Sequence, residues 1–519
     1  MASVVPAADP AMTRPGISVP SVSLLGRDLT ASIVVFLVAM PLCMGIAIAS
    51  GAPAEKGLIT GIIGGIIVGA LAGSPLQVSG PAAGLAVIVY ELVRDQGLAA
   101  LGPILVVAGA VQVVAGVFRL GGWFKAISPA VVHGMLAGIG VLIVVGQFHV
   151  LFDHRPLPSG LQNLAAMPGR LFGLSPSNLQ ATEFAFAIGV VTIAAMIGWE
   201  KLRPASLRLL PGALVGVLVG TIVSLLFGLE VARVQVPDSI VAAITPPSGE
   251  GFMRLLDPSV IAAAVAIAFI ASAETLLSAA AVDKMHNGVR TDYNKELRAQ
   301  GIGNLLCGFA GALPMTGVIV RSSANVQAGA ATRLSAMLHG VWILGFVAAL
   351  PFVLKLIPMA ALGAILVVTG FRLVSVKHAT HLFRDYGVLP VLIWAATLVT
   401  VVSTDLLTGV LVGIGLTMLE LIPNLHRLRL RVYEGQEADT HAITLDGTAT
   451  FVTLPKLSET LDRVPTDTPV RIDATRLNAV DHTSAEMLRD WFQRRRASGQ
   501  SVRVTGARGR IATLNDDQH

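Results

Sequence analysis

The sequence predicts an all-α polytopic membrane protein of about fourteen transmembrane segments, followed by a small cytoplasmic α/β domain. Three observations predict this fold class: composition, recurrent apolar runs, and two similar breaks within those runs. Mean hydropathy is +0.73, 54% of the 519 residues are hydrophobic and only 13% are charged. Because a soluble domain carries about 25% charged residues, this composition indicates a chain that lies largely in lipid.

The apolar runs form two sets of seven, each run long enough to cross or half-cross the hydrocarbon. An odd number of spans in the first half makes the second half cross in the opposite direction, which predicts an inverted repeat. The first set covers roughly residues 29–50, 57–73, 81–94, 100–118, 127–150, 180–199 and 210–229, and the second covers roughly 257–282, 297–311, 318–331, 335–354, 358–374, 387–403 and 406–423.

The third and tenth runs are too short to cross about 30 Å of hydrocarbon as regular helices. Each begins at a Pro- and Gly-containing stretch, Gln77-Val-Ser-Gly-Pro-Ala-Ala-Gly84 and Pro314-Met-Thr-Gly-Val-Ile-Val-Arg-Ser322, here called the first and second breaks. Unpaired backbone at membrane depth is tolerated only around a cavity, and paired breaks in two halves are typical of a transporter's binding site. Two helix N-termini that face one cavity favour an anion.

Charge distribution predicts the orientation of the chain. Most Lys and Arg residues of the connections, among them Arg203, Arg290 and Arg372, fall on one side of the membrane. That side is predicted to be cytoplasmic, and both termini join it. The expected organisation is a disordered N-terminus (1–24), a transmembrane domain (25–425, with repeats at about 25–230 and 255–425), a basic linker (426–439) and the α/β domain (440–519).

Within the tail, alternation of apolar and polar residues predicts a succession of short elements. The pattern predicts a strand–turn–strand unit over 441–451, a helix over 456–461, a buried strand over 470–473, an amphipathic helix over 484–497 and a last strand over 501–505.

Several classes of function find no support in the sequence. The formal net charge of +5 is small for this length and does not indicate nucleic-acid binding. The two cysteines, Cys43 and Cys307, lie far apart in apolar runs, which provides neither a disulfide framework nor a metal motif. Nucleophile elbows and phosphate-binding loops are also missing, so we expect neither an enzyme nor a bound cofactor or metal.

Two ionisable residues inside predicted spans are candidates for function, because charge in a membrane is costly. Glu274 lies near the middle of the eighth span and Arg321 at the start of the tenth. Glu274 is a protonatable coupling group, or a structural partner that neutralises Arg321 and caps backbone amides, and one residue can do both. Arg321 either binds a carboxylate or another oxyanion with its fork of donors, or forms a permanent ion pair with Glu274.

The residues resemble those of the sulfate permease (SulP) family of anion transporters. The resemblance lies in Pro41 and Met44 of the first span, in Ser79-Gly80-Pro81, and in Pro314, Gly317 and Arg321-Ser322 around the second break. The tail resembles the STAS domain that follows the membrane unit in that family. Its loop at 478–484 carries Asp481 and Thr483 near the position that the family phosphorylates, but the domain looks shortened, so a regulatory role is not expected.

The resemblance implies core and gate subdomains, homodimers, elevator-type movement and an anion pocket between helices 1, 3, 8 and 10. Carried over to this sequence, the pocket falls on Leu42, Ile46, Ala82, Glu274, Ile319, Val320 and Arg321. With the residues of the breaks included, the expected substrate-binding residues are Leu42, Ile46, Ser79, Gly80, Ala82, Ala83, Gly317, Ile319, Val320 and Arg321. The expected residues for the coupling ion are Glu274 and Ser278.

The chain departs from the family pattern at four pocket positions. Relatives commonly carry Gln at the position of Leu42, an aromatic at Ile46, and Ser or Thr at Val318 and Val320. A buried dianion such as sulfate needs many donors, which apolar side chains do not supply. Backbone amides and Arg321 must therefore bind most of the anion, which suits bicarbonate or a small carboxylate.

The expected function is proton-coupled uptake of a small carboxylate, such as the dicarboxylate fumarate, or of bicarbonate across the inner (plasma) membrane. A sodium-coupled bicarbonate or sulfate transporter is the first alternative, because some family members place a sodium-binding Asp at the position of Glu274. An uncoupled anion channel is the second, and a membrane sensor that signals through the tail is the third. Expected partners are the anion, a proton or sodium ion, membrane lipid and a second copy of the chain.

Overall fold

The fold was analysed in a computed structural model of the full chain. The structure describes residues 22–514 except 125–127, 174–178, 208, 238, 284, 287, 376–379, 381, 385, 420–428, 438–439, 465–467 and 498. The expected disordered N-terminus and most of the expected basic linker therefore lie outside the described residues.

Fourteen helical segments follow one another in the described membrane region, in the predicted order. Shorter helices lie in the connections, at Gly121–Phe124, Gly160–Leu171, Gly249–Met253 and Pro351–Leu354. The fourteen segments are α1 Val22–Ala49, α2 Ala54–Leu71, α3 Ala86–Gln96, α4 Leu98–Val117, α5 Pro129–Val150, α6 Leu179–Leu202, α7 Gly212–Leu226, α8 Pro258–Asp283, α9 Tyr293–Ala310, α10 Ile319–Gln327, α11 Leu334–Ala349, α12 Met359–Leu373, α13 Val388–Ser403 and α14 Leu406–Leu419.

Six of the described helices are individually long and apolar enough to cross a membrane: α1, α2, α4, α5, α6 and α8. Five further apolar helices, α7 and α11–α14, have between 10 and 17 residues. The half-helices α3 and α10 have 11 and 9 residues, as the sequence predicted. A short helix satisfies its own backbone over only part of the bilayer, so the remaining depth must be crossed by another structure.

Helix packing follows the inverted repeat. In one bundle α9 packs on α4, and α11 packs on α2; in the other α13 packs on α5, and α12 packs on α6. Shifting each helix number by seven converts one pair of a bundle into the other pair of the same bundle: α4 with α9 becomes α11 with α2, and α5 with α13 becomes α12 with α6. One bundle contains α1–α4 and α8–α11, and the other contains α5–α7 and α12–α14, with α1 in contact with α7 and α12. This division matches the expected core and gate subdomains.

The extended parts of the two breaks form a small antiparallel sheet inside the first bundle. Strand β1 (Ser79–Pro81) pairs with β2 (Met315–Gly317), with Gly80 opposite Thr316. Each strand satisfies backbone groups of the other, which allows extended chain at membrane depth. Because the pair is antiparallel, the two chains leave the sheet at opposite ends: β1 continues through the short turn Ala83–Leu85 into α3, and β2 continues into α10.

The tail is a small α/β unit with a four-stranded sheet in the order β3-β4-β5-β6. Its strands are β3 Leu430–Glu437, β4 Thr440–Ala449, β5 Val470–Val480 and β6 Val502–Thr505, and its helices are α15 Leu454–Arg463 and α16 His482–Ala497. The first pair is antiparallel and the others are parallel. This arrangement agrees with the expected STAS domain, and both predicted helices are confirmed.

Two details of the tail differ from prediction. Residues 430–437, expected within a basic linker, form the edge strand β3. Residues 441–451, expected as two strands around a turn, instead lie mostly within the single strand β4. Its Asp446-Gly447 pair resembles a hairpin turn, but Gly447 adopts a φ of +113° beside a register shift, so the chain bulges and continues.

The tail contacts the membrane domain at the start of α5. The Ser128 hydroxyl and His482 Nε2 are 2.7 Å apart, and both residues are buried. Asp481 holds the start of α16 by accepting from the backbone N–H groups of Ser484 and Phe451, at 2.7 and 2.6 Å. Burial raises the pKa of the Asp481 carboxyl, and these bonds favour its ionised form.

Candidate functional site

The crossing of the two breaks is held together by hydrogen bonds between elements far apart in sequence. The Val318 N–H donates to the Val78 carbonyl, and the Val78 N–H donates to the Ser322 hydroxyl, each at 2.9 Å. The Gly317 N–H donates to the Thr275 hydroxyl of α8 at 3.1 Å. These bonds align the starts of α3 and α10, whose first N–H groups have no partner within their own helices.

A cavity of about 80 Å³ lies beside these helix starts, between the two bundles. Its walls come from α1, α3, α8 and α10 on one side and from α5 and α12 on the other. It is lined by Leu42, Ile46, Ala83, Gly84, Val132, Met135, Leu136, Glu274, Leu277, Ser278, Val318, Ile319, Val320, Arg321, Leu366, Thr369 and Leu373.

Eight of the twelve residues proposed from the sequence line this cavity: Leu42, Ile46, Ala83, Glu274, Ser278, Ile319, Val320 and Arg321. The other four do not line it. Ser79, Gly80 and Gly317 lie in the two strands behind the helix starts, and Ala82 is only 2% exposed. These four contribute backbone geometry to the crossing.

Arg321 is a fully buried arginine without a carboxylate or carbonyl partner among the described residues. Its exposure is 0%, and none of its three side-chain nitrogens makes a hydrogen bond there. The guanidinium lies beside the Cys43 thiol and against Gly80, where an added Cβ would be only 2.0 Å from Nη1. A buried guanidinium without an acceptor is strongly destabilised, which makes Arg321 a candidate for binding an anion.

Glu274 faces the same cavity but makes no ion pair with Arg321 in the described part of the chain. Its carboxylate lies against the start of α3, because an added Cβ at Gly84 would be 2.7 Å from Oε2. That oxygen is buried and has no hydrogen-bond partner there. The permanent Glu274–Arg321 pair considered from the sequence is therefore not formed in this conformation.

The remaining walls are almost entirely apolar. The described lining offers the hydroxyls of Ser278 and Thr369 besides the two charged groups. Sequence reasoning missed the wall from α5 and α12, which includes Val132, Met135 and Leu366. These are ordinary apolar residues of long spans, so only the equivalence of α5 and α12 in the repeat could have indicated them.

A second, larger cavity of about 340 Å³ adjoins the first. The two share Leu42, Val320 and Thr369, so they lie next to each other between the bundles. The larger cavity is also lined by Glu200, Arg203 and Arg372. Arg372 donates to the Glu200 carboxylate. Arg203 and Arg372 belong to the side predicted to be cytoplasmic.

Two seven-segment repeats, paired half-helices and a cavity between two bundles define a class: membrane transporters with an inverted repeat. Comparison with known proteins makes the assignment specific. The model of the Sulfate permease family matches residues 25–397, and the chain belongs to that family.

Similar proteins include transporters named for two anions. The putative sulfate transporter YvdB of Bacillus subtilis is 31% identical over 397 residues, covering 75% of this chain and 72% of that protein. The bicarbonate transporter BicA of Picosynechococcus is 26% identical over 414 residues, covering 75% of this chain and 68% of that protein.

Solved structures agree on the fold. The transmembrane domain of a cyanobacterial BicA superposes with a TM-score of 0.61 at 23% identity, covering 76% of this chain and 99% of that one. The overall structure of SLC26A9 superposes with a TM-score of 0.66 at 15% identity, covering 95% of this chain and 86% of that one. The chain is therefore an anion transporter of this family, and its homologues are not enzymes.

Proposed function

We propose that this chain is a secondary active transporter that takes up bicarbonate or a small carboxylate, such as the dicarboxylate fumarate, together with protons. One observation carries the proposal: the fully buried Arg321, which has no carboxylate or carbonyl acceptor among the described residues, lines an apolar cavity at the two helix starts. The anion would accept from the guanidinium and from free N–H groups of α3 and α10.

The lining favours a small carboxylate over sulfate. Leu42, Ile46, Val318 and Val320 present carbon where relatives are expected to present amides, aromatics or hydroxyls. Sulfate concentrates two charges on one small ion, which loses more hydration than a site with few donors returns, whereas the carbon skeleton of a carboxylate can contact the apolar walls. A cavity of about 80 Å³ has room for several water-sized groups, which suits bicarbonate. A dicarboxylate would extend into the adjoining cavity.

Glu274 is the proposed coupling group. It is the carboxylate of the described residues that lines the smaller cavity, together with Ser278. When ionised it repels an incoming anion, and protonation removes that repulsion. Proton and anion should therefore bind cooperatively, and this linkage is reciprocal. The anion and the proton are then imported together, as in a symporter.

The movement is proposed to be of the elevator type, with the bundle of α1–α4 and α8–α11 carrying the anion past the other bundle. Support comes from the position of the cavity, which has one wall from each bundle. The larger cavity would be the cytoplasmic exit, and the structure would be inward-facing. We place the protein in the inner (plasma) membrane, with both termini cytoplasmic and two copies per assembly.

A sodium-coupled bicarbonate or sulfate transporter is the alternative that a specific observation favours, because similar proteins are named for those two anions. An uncoupled channel is the third candidate.

Uptake into proteoliposomes tests the proposal. Purified full-length protein is reconstituted, and labelled bicarbonate, fumarate, sulfate and chloride are each supplied outside, with an inward proton gradient, an inward sodium gradient or neither. We expect accumulation of bicarbonate or fumarate above the outside concentration with the proton gradient alone. Sodium-dependent accumulation would support the alternative, and equilibration without accumulation would support a channel.

A further inference from the structure

Three buried polar residues occupy one face of α9, at a spacing of four residues: Glu296, Gln300 and Asn304. All three have an exposure of 0%. Residues four apart in a helix share a face, so the three side chains form a row along α9. This row, here called the α9 polar row, was not indicated by the sequence, and no residue in it lines either cavity.

The N-terminal part of the row, Glu296 and Gln300, holds the first break. Glu296 Oε2 accepts from the N–H groups of Gly73 and Ser74, at 2.8 and 2.9 Å, just before the break begins. Gln300 Nε2 donates to the other Glu296 oxygen at 3.0 Å and to the Ser79 hydroxyl of β1 at 2.5 Å. Both carboxylate oxygens are therefore used as acceptors.

The C-terminal residue of the row, Asn304, holds the second break. Asn304 Oδ1 accepts from the Met315 N–H at 2.8 Å, and its Nδ2 donates to the Met315 carbonyl at 3.2 Å. This two-bond contact continues the β1–β2 pairing on the outer side of β2. Asn304 Nδ2 also donates to Gln112 Oε1 of α4 at 2.7 Å, and Gln112 donates to Ser272 of α8. The same helix thus holds both strands and reaches the helix that carries Glu274.

The repeat-related helix α2 contributes much less hydrogen bonding to the crossing. Its Thr60 hydroxyl bonds the backbone of Leu313 just before the second break. Elsewhere α2 approaches the breaks through glycine contacts such as Gly64 against the Ser79 carbonyl. Non-directional packing allows sliding, whereas hydrogen bonds with fixed geometry do not.

We propose that Glu296, Gln300 and Asn304 are positioning residues that set the alignment of the two helix starts and thereby the affinity of the anion site. The predicted effect on anion affinity rests on the proposed function, whereas the predicted effect on the alignment of the two breaks does not. The row acts through the backbone of the breaks and touches neither the anion nor Arg321.

The test compares two matched asparagines. Asn304→Asp places a carboxylate oxygen opposite the Met315 carbonyl and Gln112 Oε1, which are both acceptors. Asn163 is also buried, and its Nδ2 donates to the Leu157 and Ser159 carbonyls while its Oδ1 accepts from the Leu157 N–H. Asn163→Asp therefore makes the same chemical change outside both breaks. Gln300→Leu is the second variant if Asn304→Asp does not fold.

Two measurements on the purified full chain decide the outcome. Hydrogen–deuterium exchange should rise in peptides covering 74–85 and 313–320 for Asn304→Asp or Gln300→Leu, and not for Asn163→Asp. The apparent Kd for potassium bicarbonate or fumarate, from thermal-shift titration, should rise at least about tenfold for the row variants. Asn163→Asp should stay within about twofold of wild type, even if its melting temperature falls.

Unchanged exchange in both breaks would overturn the positioning role, whatever the anion result. Increased exchange with an unchanged Kd would overturn the link between alignment and affinity. A wild-type protein that binds neither probe would count against the proposed function, while exchange would still decide whether the row holds the breaks.

Discussion

Among single residues, Arg321 is the one on which anion binding is proposed to depend most. A fully buried guanidinium without an acceptor among the described residues is explained if the anion itself completes its hydrogen bonds. Arg321 is available to an anion only if no neighbouring carboxylate pairs with its guanidinium. Glu274 meets this condition, because its carboxylate lies against α3 rather than in contact with the guanidinium.

Arg321→Ala should weaken anion binding by at least about 30-fold, because losing a charge-assisted bond in a dry site costs about 2–5 kcal/mol. Thermal-shift titration of the purified variant with bicarbonate and fumarate measures the change. Arg333→Ala is the control, since Arg333 donates to the Ala70 carbonyl and lines neither cavity. Wild-type affinity in Arg321→Ala would limit this residue to a structural role.

Ala83→Leu should block binding through bulk alone. Ala83 lines the smaller cavity, and three added carbons would occupy much of its roughly 80 Å³. Ala82 does not line the cavity, so a leucine there would test folding instead. Ala262→Leu, at an exposed position of α8, is the matched control. Unchanged bicarbonate and fumarate uptake by folded Ala83→Leu would place the anion elsewhere.

Some residues of the candidate site were predictable from the sequence, and others were not. Arg321 and Glu274 were predictable because charge inside a span requires a reason. The wall formed by Val132, Met135 and Leu366 was not, because apolar residues in apolar spans are uninformative. The α9 polar row was missed for a related reason. Its hydrogen-bond partners are mainly backbone groups of the breaks, and the sequence does not show which backbone groups a Gln or Asn side chain will meet.

At the scale of elements, the half-helices were predictable from length alone, because short apolar runs cannot cross the bilayer as helices. Their mutual pairing was not, since β1 and β2 each have three residues and lie more than two hundred residues apart. Strand β3 did carry a signal that was overlooked: Leu430 and Val432 alternate with Arg431 and Tyr433, the period of a half-buried strand.

The close contact between β1 and α10 makes a further prediction. Gly80→Ala places a methyl group 2.0 Å from the present position of Arg321 Nη1, so the guanidinium must move while every charge is kept. Anion affinity should fall about tenfold, as measured by thermal-shift titration with bicarbonate and fumarate. Gly345→Ala on α11, where an added Cβ meets nothing within 4 Å, should leave anion affinity unchanged. Equal affinity in both variants would contradict the assigned position of Arg321.

The tail makes a prediction at the same scale. Removing residues 429–519 should lower protein yield more than transport per folded molecule, because every cavity residue precedes residue 374. A cut at 440 should behave worse than a cut at 429, since it leaves β3 without its partner β4 and exposes an unpaired edge. Size-exclusion chromatography and uptake by the monodisperse fraction compare the two truncations.

A well-folded 429 truncation without uptake would instead show that the tail takes part in the transport cycle. The contact between Ser128 and His482 would then be the first place to examine, because it joins the tail to the start of α5.

At the scale of the whole molecule, the architecture separates two tasks. One bundle contains both breaks, Arg321, Glu274 and the α9 polar row, whereas the other supplies the apolar wall from α5 and α12. In the proposed elevator movement, this apolar wall would let the first bundle slide without breaking hydrogen bonds. The inverted repeat explains why both bundles draw equally on the two halves, since each repeat contributes four helices to one and three to the other.

The proposed coupling of the proton gradient to anion accumulation through Glu274 is tested by parallel measurements of binding and accumulation for Glu274→Gln, which resembles the protonated side chain. Wild-type protein in proteoliposomes should accumulate bicarbonate or fumarate faster as external pH falls, without sodium. Glu183→Gln, at an exposed position of α6, should behave like wild type.

Glu274→Gln should bind the anion at least as tightly as wild type and still equilibrate it across the membrane, yet fail to accumulate it against a gradient. Both halves of that result follow from permanent loss of the charge that a proton otherwise neutralises. Accumulation by Glu274→Gln comparable to wild type would contradict the account, and so would wild-type accumulation that follows sodium at constant pH.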